Sequence, residues 1–322
     1  MNLFNSALGE NITFLRPAYF LISGLSGIQD LKHYYVFLCF VYIVSVLGNT
    51  TVMAVIYLDH NLRTPKYVAV FNLAFVDLLG SSTLMPKLID IFLFNHRYIS
   101  YNDCLAFFFF CYTFLCMQSF NLLALSYDRL IAIIHPLQYH VKVTHRFMLS
   151  LIAFFWVFAI TVNLVAVGLL TRLSICRSVA INSYFCDHGQ IYRLACNDNF
   201  PNYVISCLFP VLIFWLPFLF ILLSYLYIGC TLAKVATVQE GLKAFKTCTA
   251  HLSLVAIYFI PVLITFTLME KINPNARIMN LSLTSILPPT LNPIIYVLQT
   301  QEIKKSVKRL LKMRGKPQMI NN

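Results

Sequence analysis

Six polar residues interrupt long apolar stretches of this 322-residue chain. They are Asn49, Asp77, Asp128, Arg129, Asn292 and Tyr296. Burying such groups costs free energy unless they are paired, and in apolar helices they commonly handle ions, protons or conformational signals. For Asp77 the pattern favours a functional role, because a carboxylate is costlier to bury than an amide. Asn49 is explained equally well as a hydrogen-bonding contact between helices.

An acid and a base stand side by side in "LSYDRLIAIIHPLQYH" (residues 125–140), as Asp128 and Arg129. A guanidinium keeps its proton, so Arg129 must be paired, hydrated or bonded to carbonyl groups. If Arg129 served only to fix the orientation of the chain in the membrane, the acidic neighbour Asp128 would add nothing to that role. We therefore interpret the pair as a latch, with an ordinary topology-fixing charge as the alternative.

Prolines within the last three apolar stretches predict bent helices. Pro288, Pro289 and Pro293 remove backbone donors from the last stretch, and Pro217 and Pro261 do the same in the two before it. A bent helix can hold two competing packings, which a conformational switch requires.

The elements that carry these residues are predicted to be seven membrane-spanning helices. Hydrophobic residues make up 59% of the chain and charged residues only 11%, against about 25% charged in soluble domains. Apolar residues come in blocks of roughly 20 or more, long enough to span a bilayer. The predicted spans are 34–58, 67–94, 103–130, 147–171, 200–233, 245–269 and 276–298, with a short amphipathic helix after the seventh.

The basic residues predict the orientation. With residues 1–33 outside and residues 299–322 as a basic helix and tail inside, most of the 24 Lys and Arg residues fall on the cytoplasmic side. The net charge of +12 then indicates attraction to anionic inner-leaflet lipid and not nucleic-acid binding. The first span is expected to act as an uncleaved anchor. The sequon at Asn11 lies in the outer tail, where it could be glycosylated.

The ten cysteines divide by compartment. Six lie in or beside spans, where free Cys is expected as small apolar filling. The other four are predicted outside and form two disulfides, with three pairings open. They are Cys104, Cys176, Cys186 and Cys196. His188, two residues after Cys186, is expected to be a solvated loop side chain. No Cys and His spacing resembles a zinc site, and no cofactor is predicted.

Several sequence motifs resemble those of the odorant receptor branch of the rhodopsin-like G-protein-coupled receptors. They are "GLSG" before the first span, "LRTPKYVAVFNLAFVDL" (62–78), "LSYDRLIAIIHPLQY", "SY" (224–225), "KAFKTCTAHL" (243–252) and "PPTLNPIIYVLQTQEIKKSVKRLL" (288–311). They cover nearly the whole chain, and the overall character resembles fish-type members. Leu130, Lys66 and Lys246 depart from the family's usual Tyr, Met and Ser. The word "YFIP" (258–261) is more similar to other rhodopsin-like receptors.

The resemblance implies roles for the switch residues. Arg129 would engage the G protein when the sixth helix swings outward, and Asp128 would hold it at rest. Tyr225 and Tyr296 would complete the active arrangement, with Pro293 in the same "NPIIY" word and His251 at the cytoplasmic end of the sixth helix. Asn49, Asp77 and Asn292 would form an interior polar network where sodium could bind. The implied partner is the stimulatory G protein of olfactory neurons, in the plasma membrane of their cilia.

The resemblance also implies Cys104–Cys186 and Cys176–Cys196 bridges and a pocket for a small odorant. In the family the pocket lies in the outer half of helices three, five, six and seven, under the long outer loop. Its mostly apolar candidates are Phe107, Phe108, Cys111, Tyr112, Leu115, Cys207, Phe209, Pro210, Ile213, Val262, Leu263, Phe266, Ser282 and Ser285.

Other functional classes fit the sequence less well. A transporter often shows internal repeats, and the two halves of this chain are not alike. A membrane enzyme would need a His and Asp or Cys and His constellation at one depth, and none is evident. A rhodopsin-like receptor for a peptide or a lipid stays open because of "YFIP".

Overall fold

The computed structural model describes residues 15–25, 31–94, 96–235, 238–268 and 271–314. The predicted glycosylation site Asn11 and the side chains of residues 243–247 lie outside the described residues. Eight principal helices follow in chain order. They are α1 Leu31–Leu58, α2 Pro65–Leu93, α3 Tyr101–Ile134, α4 His145–Thr171, α5 Phe200–Lys234, α6 Val238–Thr267, α7 Pro274–Gln299 and α8 Gln301–Arg314.

Helices α1 to α7 form a seven-helix bundle, as the sequence predicts. Six of them, within the described residues, are long and apolar enough to cross a membrane, and the apolar stretch of α6 is the shorter His251–Thr267. Outward-facing side chains such as Leu47 and Leu223 are 63% and 65% exposed, whereas Met117 and Tyr258 are buried between helices. Apolar exposure on this scale suits contact with lipid chains, so the protein is a multi-pass membrane protein.

Two prolines leave backbone carbonyls free, and side chains from neighbouring helices bind them. Proline has no N–H, so Pro217 cannot bond the carbonyl of Ile213 and Pro293 cannot bond that of Pro289. The Ser119 hydroxyl of α3 donates to Ile213 O at 2.6 Å, inside a π-helical turn of α5 that spans Val211–Trp215. The Asn49 amide of α1 donates to Pro289 O at 2.8 Å. These bonds join the proline-containing helices α5 and α7 to their neighbours α3 and α1.

The chain approaches itself closely where α1 meets α7. A Cβ added to Gly48 would lie 3.0 Å from Pro293 Cβ, so only glycine gives an unstrained contact there. This contact brings Asn49 within reach of the free carbonyl on α7.

The outer end of the bundle is covered by a small sheet and a long loop. The sheet has the order β2-β1-β3, with β1 Tyr19–Ile22 between β2 Tyr98–Ser100 and β3 Ala180–Ile181. Phe20 and Ile22 are fully buried beneath it. The loop of residues 172–199 is bonded to α3 through Cys104–Cys186 and within itself through Cys176–Cys196, the pairing that the resemblance implies.

Helix α8 is held against the cytoplasmic end of α1. The Ser306 hydroxyl donates to Asp59 Oδ2 at 2.6 Å, and Arg309 pairs with the same oxygen at 3.2 Å. The Tyr67 hydroxyl of α2 donates to Glu302 at the start of α8. These hydrogen bonds hold the pKa of Asp59 and the pKa of Glu302 below their ordinary values, so both carboxylates stay charged.

Candidate functional site: an outer cavity and a cytoplasmic latch

At the cytoplasmic end of α3, Asp128 is held between two partners. Its Oδ2 lies 3.5 Å from Arg129 Nη2, and its Oδ1 accepts a 2.7 Å hydrogen bond from the Tyr139 hydroxyl. Tyr139 begins the short helix Tyr139–Lys142 in the loop after α3. Burial and the adjacent Asp128 raise the pKa of Tyr139, so the phenol keeps its proton and donates. Tyr139 was not among the residues predicted from the sequence.

A second polar contact joins α5 to α6 at the same end. The Tyr225 hydroxyl and His251 Nδ1 are 2.7 Å apart, and both side chains are buried. The buried hydroxyl of Tyr296 on α7 has no hydrogen-bond partner among the described residues. Three predicted switch residues therefore lie in the buried cytoplasmic half of the bundle. Two of them, Tyr296 at its hydroxyl and His251 at Nε2, have a polar atom without a hydrogen-bond partner among the described residues.

In the middle of the bundle, Asp77 is fully buried and accepts two amide hydrogens. Gln118 Nε2 of α3 donates to Oδ1 at 2.8 Å, and Asn292 Nδ2 of α7 donates to Oδ2 at 2.6 Å. The two bonds tie α2 to α3 and α7. Asn49 is not bonded to this cluster, because its amide binds Ser45 and Pro289 O. Gln118 was not predicted.

In the outer half, a partly open cavity with about 480 Å³ of empty space lies between α3, α5, α6 and the long loop. Its lining is mostly aromatic and aliphatic, with polar groups at the loop side. The lining residues are Phe108, Tyr112, Asp187, His188, Gly189, Ile205, Ser206, Phe209, Pro210, Ile213, Phe214 and Phe266. An apolar space with a few convergent polar groups is the usual form of a small-molecule site.

A second cavity of about 400 Å³ lies toward α2 and α7 and shares Tyr112 and Phe266 with the first. Those two rings, with centroids 6.4 Å apart, form the wall between the cavities. The remaining lining residues are Leu84, Cys111, Leu115, Tyr184, Phe185, Val262, Leu281, Thr284 and Ser285.

A buried ion pair closes the outer end of this region. Arg277 Nη1 at the start of α7 lies 3.2 Å from Asp187 Oδ2 of the loop, and each side chain is at most 5% exposed. Asp187 Oδ1 accepts from the Tyr112 hydroxyl and the Gly189 N–H, both at 3.0 Å. Arg277 Nη2 also donates to Asn182 O at 2.6 Å. The loop is thereby bonded to both α3 and α7.

Most predicted pocket residues line one of the two cavities, and four do not. Cys207 is exposed on the outer side of α5, because the helix turns it away from Ile205, Ser206 and Phe209. Leu263 is buried among helices without reaching either cavity. Ser282 bonds the Tyr34 hydroxyl of α1 at 2.5 Å. Phe107 packs against the buried clusters around the cavities.

The expectation for His188 is wrong. The side chain is buried, its Nε2 lies 3.1 Å from Asn202 Oδ1, and burial lowers its pKa below the ordinary value. The folded loop brings the ring against α3, where it packs on Phe108 with centroids 5.8 Å apart. Asp187 and Arg277 were also missed, since nothing in the linear sequence brings positions 187 and 277 together.

Comparisons with known proteins agree with this geometry. A family model described as "Olfactory receptor" matches residues 38–314. Human olfactory receptor 1F1 is 34% identical over 294 residues, covering 91% of this chain and 94% of that protein. Rat olfactory receptor 1082 is 33% identical over 304 residues, covering 94% and 95%.

The fold also has a solved counterpart. The crystal structure of squid rhodopsin aligns with a TM-score of 0.71 at 17% identity, over 90% of this chain and 88% of that one. The likeness confirms the seven-helix fold. Together with the family match, it shows that the chain belongs to the olfactory receptor family.

Proposed function

We propose that this protein is an odorant receptor that binds a small molecule in the outer cavity and activates a stimulatory, cyclic-AMP-raising G protein. The observation that carries the proposal is a mostly apolar cavity at one end of a bundle whose other end holds the Asp128–Arg129 pair. Its place of action would be the plasma membrane of olfactory cilia.

The cavity favours a small ligand over a peptide. The disulfide-bonded loop lines its outer side with Asp187, His188 and Gly189, and the Asp187–Arg277 pair ties that loop to α7. A peptide would need an open outer vestibule.

A ligand in this cavity would contact both α5 and α6. Ile213 and Phe214 belong to the π-helical turn of α5, and Phe214 stacks on Phe266 of α6 with centroids 5.1 Å apart. Deeper in the bundle, the Tyr258 hydroxyl of α6 donates to Leu115 O of α3 at 2.6 Å. A ligand that separates Phe214 from Phe266 would shift α6 against α3 and α5.

The cytoplasmic response would be release of Arg129. In this structure Arg129 pairs with Asp128, and the Tyr225–His251 contact joins α5 to α6. Outward movement of α6 would break that contact and free Arg129 and Tyr225 to engage the G protein. For a signal to pass, the ligand must bind more tightly to the arrangement with α6 moved outward than to the resting arrangement.

The test is cyclic AMP recorded in cells that express the receptor with the olfactory stimulatory G protein, against an odorant panel. We expect a dose-dependent rise for some odorants and none in cells without the receptor. Arg129→Ala at matched surface expression should abolish the rise. A ligand-driven flux without any G protein would instead support a transporter. A response preserved in Arg129→Ala would exclude the role given to that residue.

A further inference from the structure

The polar groups of the outer cavity offer hydrogen-bond acceptors, because their own hydrogens are already in use. Three lining side chains carry an N–H or O–H: Tyr112, His188 and Ser206. The Tyr112 hydroxyl donates to Asp187 Oδ1 at 3.0 Å, and that of Ser206 to Tyr203 O at 2.7 Å. Both oxygens keep lone pairs for a further partner.

The hydrogen of the His188 ring is fixed by its neighbour. Asn202 Nδ2 points to Leu169 O at 3.4 Å, so Asn202 presents its carbonyl oxygen to His188 Nε2 at 3.1 Å. A carbonyl oxygen only accepts, so Nε2 carries the hydrogen. Burial lowers the pKa of His188, which keeps the ring neutral and leaves Nδ1 as an acceptor.

The charge of Asp187 is balanced outside the cavity. Asp187 is a lining residue, whereas its partner Arg277 lines neither cavity. The guanidinium is occupied by Asp187 and by Asn182 O. The cavity therefore meets the carboxylate side of a neutral pair. An anionic ligand would find no free side-chain donor among the lining residues. A cationic ligand would lose its hydration and would find no unbalanced negative charge in return.

The second cavity has the same character. The Ser285 hydroxyl donates to Leu281 O at 2.8 Å, so the Tyr184 hydroxyl, 3.0 Å away, donates to Ser285. The Thr284 hydroxyl donates to Asn280 O at 2.7 Å. A ligand that reaches past Tyr112 and Phe266 would again meet acceptors.

We infer that the ligand is an uncharged, mostly apolar alcohol or phenol whose O–H donates to the acceptors presented by Asp187, His188 and Tyr112. This inference rests on the proposed function, since it assigns a chemical class to the same cavity. The matching aldehyde carries only an acceptor, and the matching carboxylic acid is an anion at neutral pH. The aldehyde would leave the acceptors of the cavity without a donor, and the carboxylate would be repelled by them.

The test compares matched compounds by direct binding to the purified full-length receptor, read as a thermal shift against concentration. The probes are octan-1-ol, octanal and octanoate, and 2-phenylethanol, phenylacetaldehyde and phenylacetate. We expect an alcohol to bind at least about tenfold tighter than its aldehyde and acid, which is the value of one net hydrogen bond. An aldehyde or acid that binds as well as its alcohol, or no shift with either alcohol, overturns the inference.

Two variants locate the effect. His188→Phe removes the Nδ1 acceptor and should shrink the ratio of alcohol to aldehyde affinity severalfold, whereas Phe209→Leu in the same cavity should weaken both compounds equally. An unchanged ratio in a folded His188→Phe receptor removes His188 from the inference. If that variant does not fold, the wild-type ratio decides. Cyclic AMP is recorded separately, so an alcohol that binds without signalling contradicts the proposed function alone.

Discussion

The Tyr139 hydroxyl is expected to hold the receptor at rest, so Tyr139→Phe should raise its basal activity. The 2.7 Å bond to Asp128 keeps that carboxylate beside Arg129. A hydrogen bond to a charged group contributes about 1.5–3 kcal/mol. If the bond is made only at rest, its loss shifts the ratio of active to resting receptor by roughly 10- to 100-fold, at about 1.4 kcal/mol per factor of ten.

The expected signal follows from the starting population. With about 1% of receptors active without ligand, a tenfold shift gives a basal signal near a tenth of the maximum, and a larger shift gives about half. The assay is ligand-free cyclic AMP in cells with equal surface receptor, compared with the response to a saturating odorant. The maximal response should stay unchanged, because Arg129 is intact.

Tyr127→Phe is the matched control. Tyr127 precedes Asp128 and packs on Phe147 with ring centroids 5.5 Å apart, and no described side-chain hydrogen bond involves its hydroxyl. Its variant should keep wild-type basal activity. Basal cyclic AMP that is unchanged or lower in Tyr139→Phe would refute the reasoning. An equal rise in both variants would show that the effect does not come from the bond to Asp128.

Three further predictions concern stability, measured by melting of the purified receptor. Asn49→Ala should lower the free energy of unfolding by about 1–2 kcal/mol, because Pro289 O loses its donor. The control Thr51→Ala, at an exposed position, should cost less than about 0.5 kcal/mol, and equal losses would contradict the role of the α1–α7 bond. Arg277→Met should lower the free energy of unfolding by about 3–5 kcal/mol, because it leaves the buried Asp187 carboxylate unpaired. The double variant with Asp187→Asn should recover most of that loss, and no recovery would argue against a charge effect. The pKa of His188 in the folded protein is below the unfolded value of about 6.5, so the unfolded chain binds more protons just below that pH. Stability should therefore fall as the pH falls from 6.5 toward the lower folded pKa. His188→Gln should lose less, and an identical pH profile would exclude His188.

The seven-helix architecture could be predicted from the sequence because apolar blocks of spanning length and basic connecting segments leave few alternatives. The limits of α6 were harder to predict, since its cytoplasmic part is too polar to count as apolar span although it is helical from Val238. The outer sheet was not foreseen, because a strand of four residues such as Tyr19–Ile22 gains its partners only when distant loops meet.

The candidate site was predictable where helical spacing decides it. Phe108, Tyr112 and Leu115 follow one face of α3 inward from Cys104 and all line a cavity. Cys207 shows the limit of that reasoning, since a shift of one residue on α5 turns a side chain from the cavity to the lipid.

The loop residues of the site could not be predicted in the same way. The contacts of Asp187 and His188 depend on how the disulfide-bonded loop folds, which local sequence does not specify.

The most direct test of the account fills the outer cavity and reads the cytoplasmic response. Ile205 lines the cavity, and Cys207, on the same turn of α5, is exposed on its outer side. Cyclic AMP is recorded against odorant concentration for Ile205→Trp and Cys207→Trp at equal surface expression. We expect Ile205→Trp to abolish the response or weaken it at least about tenfold, because the indole occupies ligand volume. Cys207→Trp should respond as wild type. An unchanged response in Ile205→Trp, or equal losses in both, would contradict the claim that a ligand in this cavity drives the receptor.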